Sequence, residues 1–248
     1  MKNIILQENE KQNLIDELLN ILVKENEQKL PPGLTKDDKR WLLSNLMLAR
    51  SIGDLDDEFL NKQDKLLSYE NSIAGIIRTA DVSFKRQVAF VSDEIWKFEV
   101  DALVVFTDSL LGVLDRFIKC VDNTLSLKAG LELNQDLAGI VKADNGLISV
   151  TKPYVVKGYN LPANYVVKIV LPVLYSSFSE YEKNKLKINL NNLFSVVKKE
   201  KWKTLAINLC EFPNNYPADV LKTIIVNECK NLNKKYKTKL NIIFVDNY

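Results

Sequence analysis

From about residue 87 onward, short apolar runs alternate with amphipathic segments, and this alternation limits the fold more than any other feature of the chain. Apolar, β-branched runs of strand character occur at residues 88–92, 101–107, 148–152, 165–174, 204–210 and 240–246. Segments with apolar residues at helical spacing lie between them, at residues 109–128, 131–142, 180–199 and 218–234. Strands that are apolar on both faces and separated by helices indicate a three-layer α/β/α sandwich with a mixed, largely parallel central sheet.

The region before residue 75 has a different pattern, without strand-like runs. Helical spacing of apolar residues predicts helices over residues 10–27, 36–50 and 56–69. The LPPG sequence at 30–33 ends the first helix, and Thr35 is suited to cap the second. We therefore expect a helical extension over residues 1–75, followed by an α/β domain over residues 87–248.

Charge and composition argue against several kinds of partner. The chain has 34 Lys and Arg against 32 Asp and Glu, a net charge of +2, which gives no electrostatic reason to expect nucleic acid binding. The basic runs at 183–187 and 233–239 are interpreted as solvated surface. No apolar stretch approaches the ~20 residues that span a bilayer, and the N-terminal apolar run is too short for a signal peptide. With three cysteines in no paired spacing, we expect a soluble, cytoplasmic protein without disulfides.

Three phrases carry a family resemblance: EVDALV at 99–104, CVDN at 120–123 and GYNLPANYVV at 158–167. Their order and spacing resemble those of macro domains, the modules that bind ADP-ribose, over about residues 87–248. The sequences at 39–50 and 59–67 resemble the helical extension of one bacterial branch, the zinc-containing macro-domain ADP-ribosyl hydrolases, which remove ADP-ribose from modified proteins. The resemblance implies a macro-domain sandwich that carries an N-terminal helical extension.

The metal-binding segment of that branch is altered in this chain. The family uses two cysteines and one histidine as zinc ligands. The first cysteine position falls on Val113 and the histidine position on Ile118, so that Cys120 alone remains, and the chain contains no histidine. A single thiolate does not provide the three or four ligands that Zn²⁺ takes in proteins. We therefore expect no zinc and no other cofactor.

Two loops that contact the ligand in the family also differ. The segment whose Asn side chains contact the distal ribose reads VFTD at 105–108, with Asp108 at the last Asn position and Phe106 adding bulk. An ionised carboxylate cannot donate a hydrogen bond as an amide does. The glycine-containing diphosphate loop reads CEFPNNYP at 210–217, with Glu211 near the glycine position and Pro213 lacking an N–H. The carboxylate of Glu211 and the missing N–H of Pro213 both disfavour binding of a diphosphate.

Other positions of the family site are retained or only partly changed. The resemblance places Glu94, next to Asp93, where an acidic residue accepts from the adenine amino group. It places Asp122 where an acidic residue activates water or orients the ribose, although a solvated carboxylate explains either residue equally well. Lys168 replaces a family histidine. Asp122 is the candidate catalytic residue, and the implied ligand-binding residues are Glu94, Ile95, Asp108, Ser109, Asp122, Glu211, Phe212 and Tyr216.

These departures favour a degenerate macro domain, a non-catalytic binding or interaction module. It would bind ADP-ribose or a related nucleotide weakly, or a protein partner through an apolar patch around Phe106, Phe117 and Ile118. One alternative is a residual ADP-ribosyl-protein hydrolase that uses Asp122. Another is a pocket retuned for a different nucleotide or a cationic ligand, because carboxylates accumulate at the site.

Overall fold

The computed structural model describes residues 5–25, 27, 29–50, 53, 56–112, 120–174, 177–212 and 216–246. Its helices are α1 (Glu8–Glu25), α2 (Lys36–Ala49), α3 (Asp57–Ile73), α4 (Val121–Ala129), α5 (Leu131–Ala143), α6 (Glu180–Glu200) and α7 (Ala218–Tyr236). Its strands are β1 (Ile77–Arg78), β2 (Val88–Val91), β3 (Phe98–Glu99), β4 (Ala102–Thr107), β5 (Tyr154–Lys157), β6 (Tyr165–Val170), β7 (Thr204–Asn208) and β8 (Asn241–Val245). None of these helices is both long enough and apolar enough to cross a membrane.

Six strands form the central sheet, in the order β2-β8-β7-β4-β6-β5. All neighbouring pairs are parallel except β5 and β6, which run antiparallel. Strands β1 and β3 form a separate parallel pair. The expected mixed, largely parallel sheet is therefore confirmed, and the carboxyl ends of β2, β4 and β7 lie at one edge, where open α/β sheets bind ligands.

Helices cover both faces of the sheet, because alternate side chains of a strand point in opposite directions. Along β4, Val104 and Phe106 belong to the core that packs against α6 and α7. The intervening residues, Leu103 and Val105, belong to the core that packs against α4 and α5. All four side chains are at most 5% exposed, so β4 is buried on both faces. The three-layer sandwich expected from continuous apolar strands is confirmed.

The helical extension has an apolar core of its own, made by α1, α2 and α3, which Leu131 of α5 joins. Thr35 caps α2 as expected, because its hydroxyl accepts from the N–H of Asp38 at 3.2 Å. Polar groups also attach α3 to the sandwich. The Asn71 amide donates to the carbonyls of Lys128 and Asn160, both at 2.9 Å. The extension therefore docks on the sandwich through buried hydrogen bonds as well as apolar contacts.

Asn160 lies in the GYNLPANYVV phrase, and its side chain is committed to this docking. Its amide nitrogen donates to the Asp64 carboxylate at 2.6 Å, and its amide oxygen accepts from the Ser68 hydroxyl at 2.9 Å. Gly158 closes the same turn, because its N–H donates to the carbonyl of Asn164 at 2.8 Å. A Cβ at Gly158 would collide with the backbone of Ala163, so the turn requires glycine there.

One predicted element is wrong in part and another is wrong. Of the helix expected over 109–128, residues 121–128 lie in α4, residues 113–119 lie outside the described residues, and residues 109–112 form a turn in which the Asp108 carboxylate accepts from the N–H of Leu110 at 2.8 Å. The strand expected at 148–152 is absent there, and β5 begins at Tyr154 instead. At that place the Ser149 hydroxyl accepts from the N–H of Thr151 at 3.2 Å. Such side chain to backbone bonds compete with regular structure, which apolar spacing alone does not reveal.

Candidate functional site

A cleft of about 630 Å³ opens at the carboxyl ends of β2 and β7, beside the first turn of α4. This volume is in the range of pockets that hold small organic ligands. Of the residues that the sequence assigned to ligand binding, it brings together Glu94, Ile95 and Glu211. The other lining residues are Ser92, Asp93, Trp96, Cys120, Val121, Thr124, Leu125, Asn208 and Cys210.

One end of the cleft is formed by the loop that follows β2. Lys97 makes ion pairs with Asp93 at 2.9 Å and with Glu94 at 3.2 Å. Partial burial raises the pKa of Asp93, but the hydrogen bonds from Lys97 and from the N–H of Glu94 outweigh it, so that the net pKa is lowered. Asp93 is therefore ionised near neutral pH.

Trp96 lies beside these carboxylates and was not assigned a role from the sequence. Its side chain is 2% exposed, and its indole N–H has no hydrogen-bond partner within the described part of the chain. The Lys128 ammonium lies 4.3 Å from the centre of the ring. Buried polar groups are almost always paired in folded proteins, so this N–H is an exception, and its nitrogen is too deeply buried to contact a ligand in the cleft.

At the other end, the Glu211 carboxylate accepts from the backbone N–H of Val121 at 2.9 Å. Val121 is the first residue of α4, where N–H groups lack partners within the helix and attract anions. The Asn208 side chain positions the Glu211 turn, because it donates to the carbonyl of Glu211 at 3.4 Å and accepts from the N–H of Cys210 at 3.3 Å. An anion supplied by the chain itself thus occupies the helix N-terminus.

The candidate catalytic residue, Asp122, is bonded within the protein through both carboxylate oxygens. One oxygen pairs with the ammonium of Lys168, which projects from β6 and is 1% exposed. The other accepts from the hydroxyl of Thr107, at the end of β4, at 3.0 Å. Gly112 packs closely against Asp122, and a Cβ at Gly112, where φ is +76°, would overlap its carboxylate.

Little space remains around Asp122. The adjacent cavity is about 50 Å³ and is lined by Phe106, Asp108 and Phe212 as well as by Asp122. The Phe106 and Phe212 rings pack against each other with their centres 5.4 Å apart. Such a space holds a few water molecules at most. The bulk that Phe106 was expected to add is present, and its ring fills the site with Phe212.

Two of the assigned ligand-binding residues do not reach these cavities. Ser109 is exposed, and among the described residues it does not line either cavity. The Tyr216 hydroxyl donates to the carbonyl of Pro172, and its ring contacts Phe178 with the centres 5.5 Å apart. Burial raises the pKa of Tyr216, and the negative charge of Glu182 adds to this, so the hydroxyl stays protonated.

The apolar patch expected around Phe106 is also wrong in part, because Phe106 is only 5% exposed. Its ring packs into the core instead of facing solvent, because β4 is covered by helices on both faces and Phe106 points to the face covered by α6 and α7. The two other members of that patch, Phe117 and Ile118, lie outside the described residues, as does Val113.

The residues present do not fit the zinc site of the hydrolase branch. Cys120 precedes α4, and its sulfur accepts from the N–H of Asn123 at 3.4 Å, as a helix cap does. In the described residues, no three side chains of the metal-binding types come together. The full chain contains no histidine, and we assign no role to a metal.

The sequence of the chain is similar to the macro-domain family model and to known hydrolases. Residues 113–211 match the family model of the macro domain. The chain is 32% identical over 139 residues to a protein-ADP-ribose hydrolase of Staphylococcus aureus strain MSSA476, covering 55% of this chain and 52% of that protein. It is 26% identical over 151 residues to a protein-ADP-ribose hydrolase of Treponema medium, covering 58% of each. The chain thus matches about half the length of these relatives.

Solved structures show the same fold. The Trypanosoma brucei macrodomain in complex with ADP-ribose superposes with a TM-score of 0.60 at 16% identity, over 83% of this chain and 90% of that one. The Oceanobacillus iheyensis macrodomain with ADP superposes with a TM-score of 0.55 at 18% identity, over 64% of this chain and 82% of that one. The chain therefore has the macro-domain fold, and residues 113–211 match the macro-domain family model.

Proposed function

We propose that this protein is a non-hydrolysing macro domain that binds the nucleoside part of an ADP-ribose-like ligand. The observation that carries the proposal is the state of Asp122, whose two carboxylate oxygens are bonded to Lys168 and Thr107. A carboxylate that activates water must direct an oxygen at that water within hydrogen-bond distance. Here both oxygens are directed into the protein, and the 50 Å³ cavity beside them is too small for a sugar ring.

The diphosphate end of the cleft is also obstructed. A phosphate that approached the N-terminus of α4 would have to displace the Glu211 carboxylate from the N–H of Val121. It would also meet the negative charge of Glu211 in a cleft whose other charged lining residues are Asp93 and Glu94. Like charges at such a distance repel. We therefore expect the diphosphate to weaken binding instead of strengthening it.

The nucleoside end has the properties that a base requires. Ile95 and Leu125 supply apolar contacts. The Glu94 carboxylate supplies an acceptor for an exocyclic amino group. A solved structure of the same fold supports this class of ligand, because the Trypanosoma brucei macrodomain was crystallised in complex with ADP-ribose.

Calorimetric titration of adenosine and of ADP-ribose tests the proposal directly. We expect adenosine to bind at least as tightly as ADP-ribose, and ADP-ribose to bind with a Kd above about 100 µM. An ADP-ribosylated protein should keep its modification when it is incubated with this protein. Low-micromolar ADP-ribose binding, or hydrolysis that the Asp122→Asn substitution abolishes, would instead establish the residual hydrolase. Failure of both ligands to bind would overturn the nucleoside site.

A further inference from the structure

A second cleft, of about 600 Å³, lies at the opposite end of β2 from the nucleoside site. It opens at the amino end of β2, between the turn that precedes this strand and the second half of α7. The first cleft lies at the carboxyl end of the same strand. The two clefts share no lining residue, so an inference about the second is independent of the proposed function.

The second cleft is cationic. Lys85, Arg86, Lys230 and Lys234 line it, and no Asp or Glu is among its lining residues. None of the four makes an ion pair with a carboxylate of the described residues, although ion pairs are frequent elsewhere on the surface. The whole chain carries a net charge of only +2. These four cations are therefore a local concentration, of the kind that attracts an anionic ligand.

The turn that carries Lys85 and Arg86 has an unusual backbone. Arg86 and Gln87 are consecutive non-glycine residues with positive φ, at 52° and 67°. Two hydrogen bonds close the turn. The N–H of Lys85 donates to the carbonyl of Val88 at 2.9 Å, and the N–H of Val88 donates to the carbonyl of Lys85 at 3.2 Å. Positive φ at both central residues is what a tight two-residue turn between antiparallel-paired residues requires. The turn places Arg86 at the cleft.

The cleft also contains an exposed aromatic ring. Phe90 is 45% exposed, although the neighbouring Phe244 ring, 5.2 Å away between centres, is fully buried. The Lys230 ammonium lies 5.6 Å from the centre of the Phe90 ring. Val88 and Ala89 extend the apolar part of the lining. A bare phosphate ion would leave this apolar surface uncovered, whereas a ligand with an aromatic group would cover it.

We propose that this cleft binds a nucleoside polyphosphate, with the phosphates at the four cations and the base against Phe90. Its volume is in the range of pockets that hold small organic ligands. Arg and Lys bind phosphate oxygens through charge-assisted hydrogen bonds. Aromatic side chains provide a surface on which any base can stack. Proteins that bind single-stranded nucleic acids combine such aromatic surfaces with a cationic groove. The first cleft receives an uncharged nucleoside, and the second receives the phosphorylated form.

Calorimetric titration with ATP, ADP and inorganic tripolyphosphate tests this site, with saturating adenosine added to occupy the first cleft. We expect ATP to bind more tightly than ADP, because ATP brings one more phosphate to the four cations. The affinity for ATP should fall as salt is raised from about 50 to about 200 mM, since the contacts are ionic. ATP should still bind, at one site per chain, when adenosine saturates the first cleft.

Matched substitutions on α7 make the test specific. The double change Lys230→Gln and Lys234→Gln should weaken ATP binding by about tenfold or more, which is about 1.4 kcal/mol. Lys235→Gln is the control for the loss of one positive charge from the same helix, because the Lys235 ammonium contacts Asn191 of α6 at 3.3 Å instead of the cleft. Phe90→Ala should weaken ATP binding but leave tripolyphosphate binding unchanged.

Several outcomes would overturn the proposal. ATP that does not bind, or that binds equally to the control and to the double variant, shows that the cleft is not a nucleotide site. Tripolyphosphate that binds as tightly as ATP, with Phe90→Ala without effect, shows a phosphate site without base recognition. A single-stranded oligonucleotide that binds more than about tenfold tighter than ATP shows that the ligand is a nucleic acid.

Discussion

The ammonium of Lys168, on the central strand β6, is paired with the carboxylate of Asp122, on the first turn of α4. Lys168 is 1% exposed, and the Asp122 side chain is 17% exposed, so the pair joins the sheet to the helix at the edge of the core. A buried pair of this kind stabilises a protein only as a pair, because either member alone would be an uncompensated charge. The site residue that the family resemblance singles out thus has a structural partner.

Breaking that pair should destabilise the fold strongly. We expect Lys168→Met and Asp122→Asn each to lower the free energy of unfolding, by up to about 3–5 kcal/mol, the cost of breaking a fully buried pair, since the Asp122 side chain is 17% exposed. The double variant should lose less than the sum of the two, because it leaves no unpaired charge. Urea denaturation of the four proteins measures the coupling. Additive losses would mean that the two side chains do not interact.

Removing the Glu211 carboxylate should improve binding of ADP-ribose. Glu211→Ala frees the N–H of Val121 for a phosphate and removes the repulsion. A hydrogen bond to a charged group is worth about 1.5–3 kcal/mol, so the affinity should rise by about tenfold to a hundredfold. Calorimetry checks this, with Glu200→Ala at the end of α6 as the control for the same change of charge. No gain would mean that the space beside Asp122, which Phe106 and Phe212 fill, excludes the rest of the ligand irrespective of charge.

The docking of α3 depends on Asn71, which is fully buried. Asn71→Ala would leave the carbonyls of Lys128 and Asn160 without their donor. An unsatisfied buried group costs about 1–3 kcal/mol, so leaving two carbonyls unsatisfied should lower the stability by about 2–6 kcal/mol. Hydrogen exchange should show loss of protection in α3. The control is Asn45→Ala, a partly exposed residue whose side chain donates to the carbonyl of Trp41 within the same helix.

The stability that Glu70 provides should depend on pH. Burial raises the pKa of Glu70, but the hydrogen bond from Arg40 and the charges of Arg40 and Lys11 outweigh it, so the net pKa is lowered below the usual 4.5. A lowered pKa stabilises the fold above pH 4.5, and this contribution is lost as the pH falls through the folded-state pKa. Glu70→Gln should therefore lower the Tm at about pH 7 and have a smaller effect in acid. An equal effect at both values would contradict this.

Glu132 should show the opposite dependence. Burial raises the pKa of Glu132 above 4.5, and the charges of Asp64 and Asp136 add to this, although the hydrogen bond from Gln63 opposes it. A raised pKa favours the fold below pH 4.5, and this advantage is lost as the pH rises through the folded-state pKa. Glu132→Gln should raise the Tm at about pH 7 and leave it nearly unchanged at about pH 4. A lower Tm at neutral pH would contradict the expectation.

The sequence predicts the sandwich well because its strands are apolar on both faces. A strand such as β4 presents no polar side chain to solvent, and only a sheet covered on both faces buries such a run. The strand expected at 148–152 fails because Ser149 and Thr151 bond each other and the local backbone. Residues 148–152 read ISVTK, in which apolar and polar residues alternate, and this alternation predicts a strand without revealing the local hydrogen bonds.

The candidate site is less predictable for a related reason. Lys168 is a single cation in an apolar run, which hints that it has a buried partner, but nothing in the sequence says which of the 32 acidic residues it is. Asp122 is 46 residues away and reaches it only because α4 begins where it does. Glu211 is 90 residues from the N–H that it occupies. Both pairings depend on tertiary structure.

The commitment of Asn160 to α3 has a practical consequence for anyone who divides this protein. The turn that carries the family signature would be left with polar groups facing an empty surface if the chain were cut after Ile73. Asn160 would lose Asp64 and Ser68, and its carbonyl would lose Asn71. A fragment trimmed to the sandwich alone would therefore be a poor substitute for the intact chain in binding experiments, however faithfully it kept the residues of the cleft.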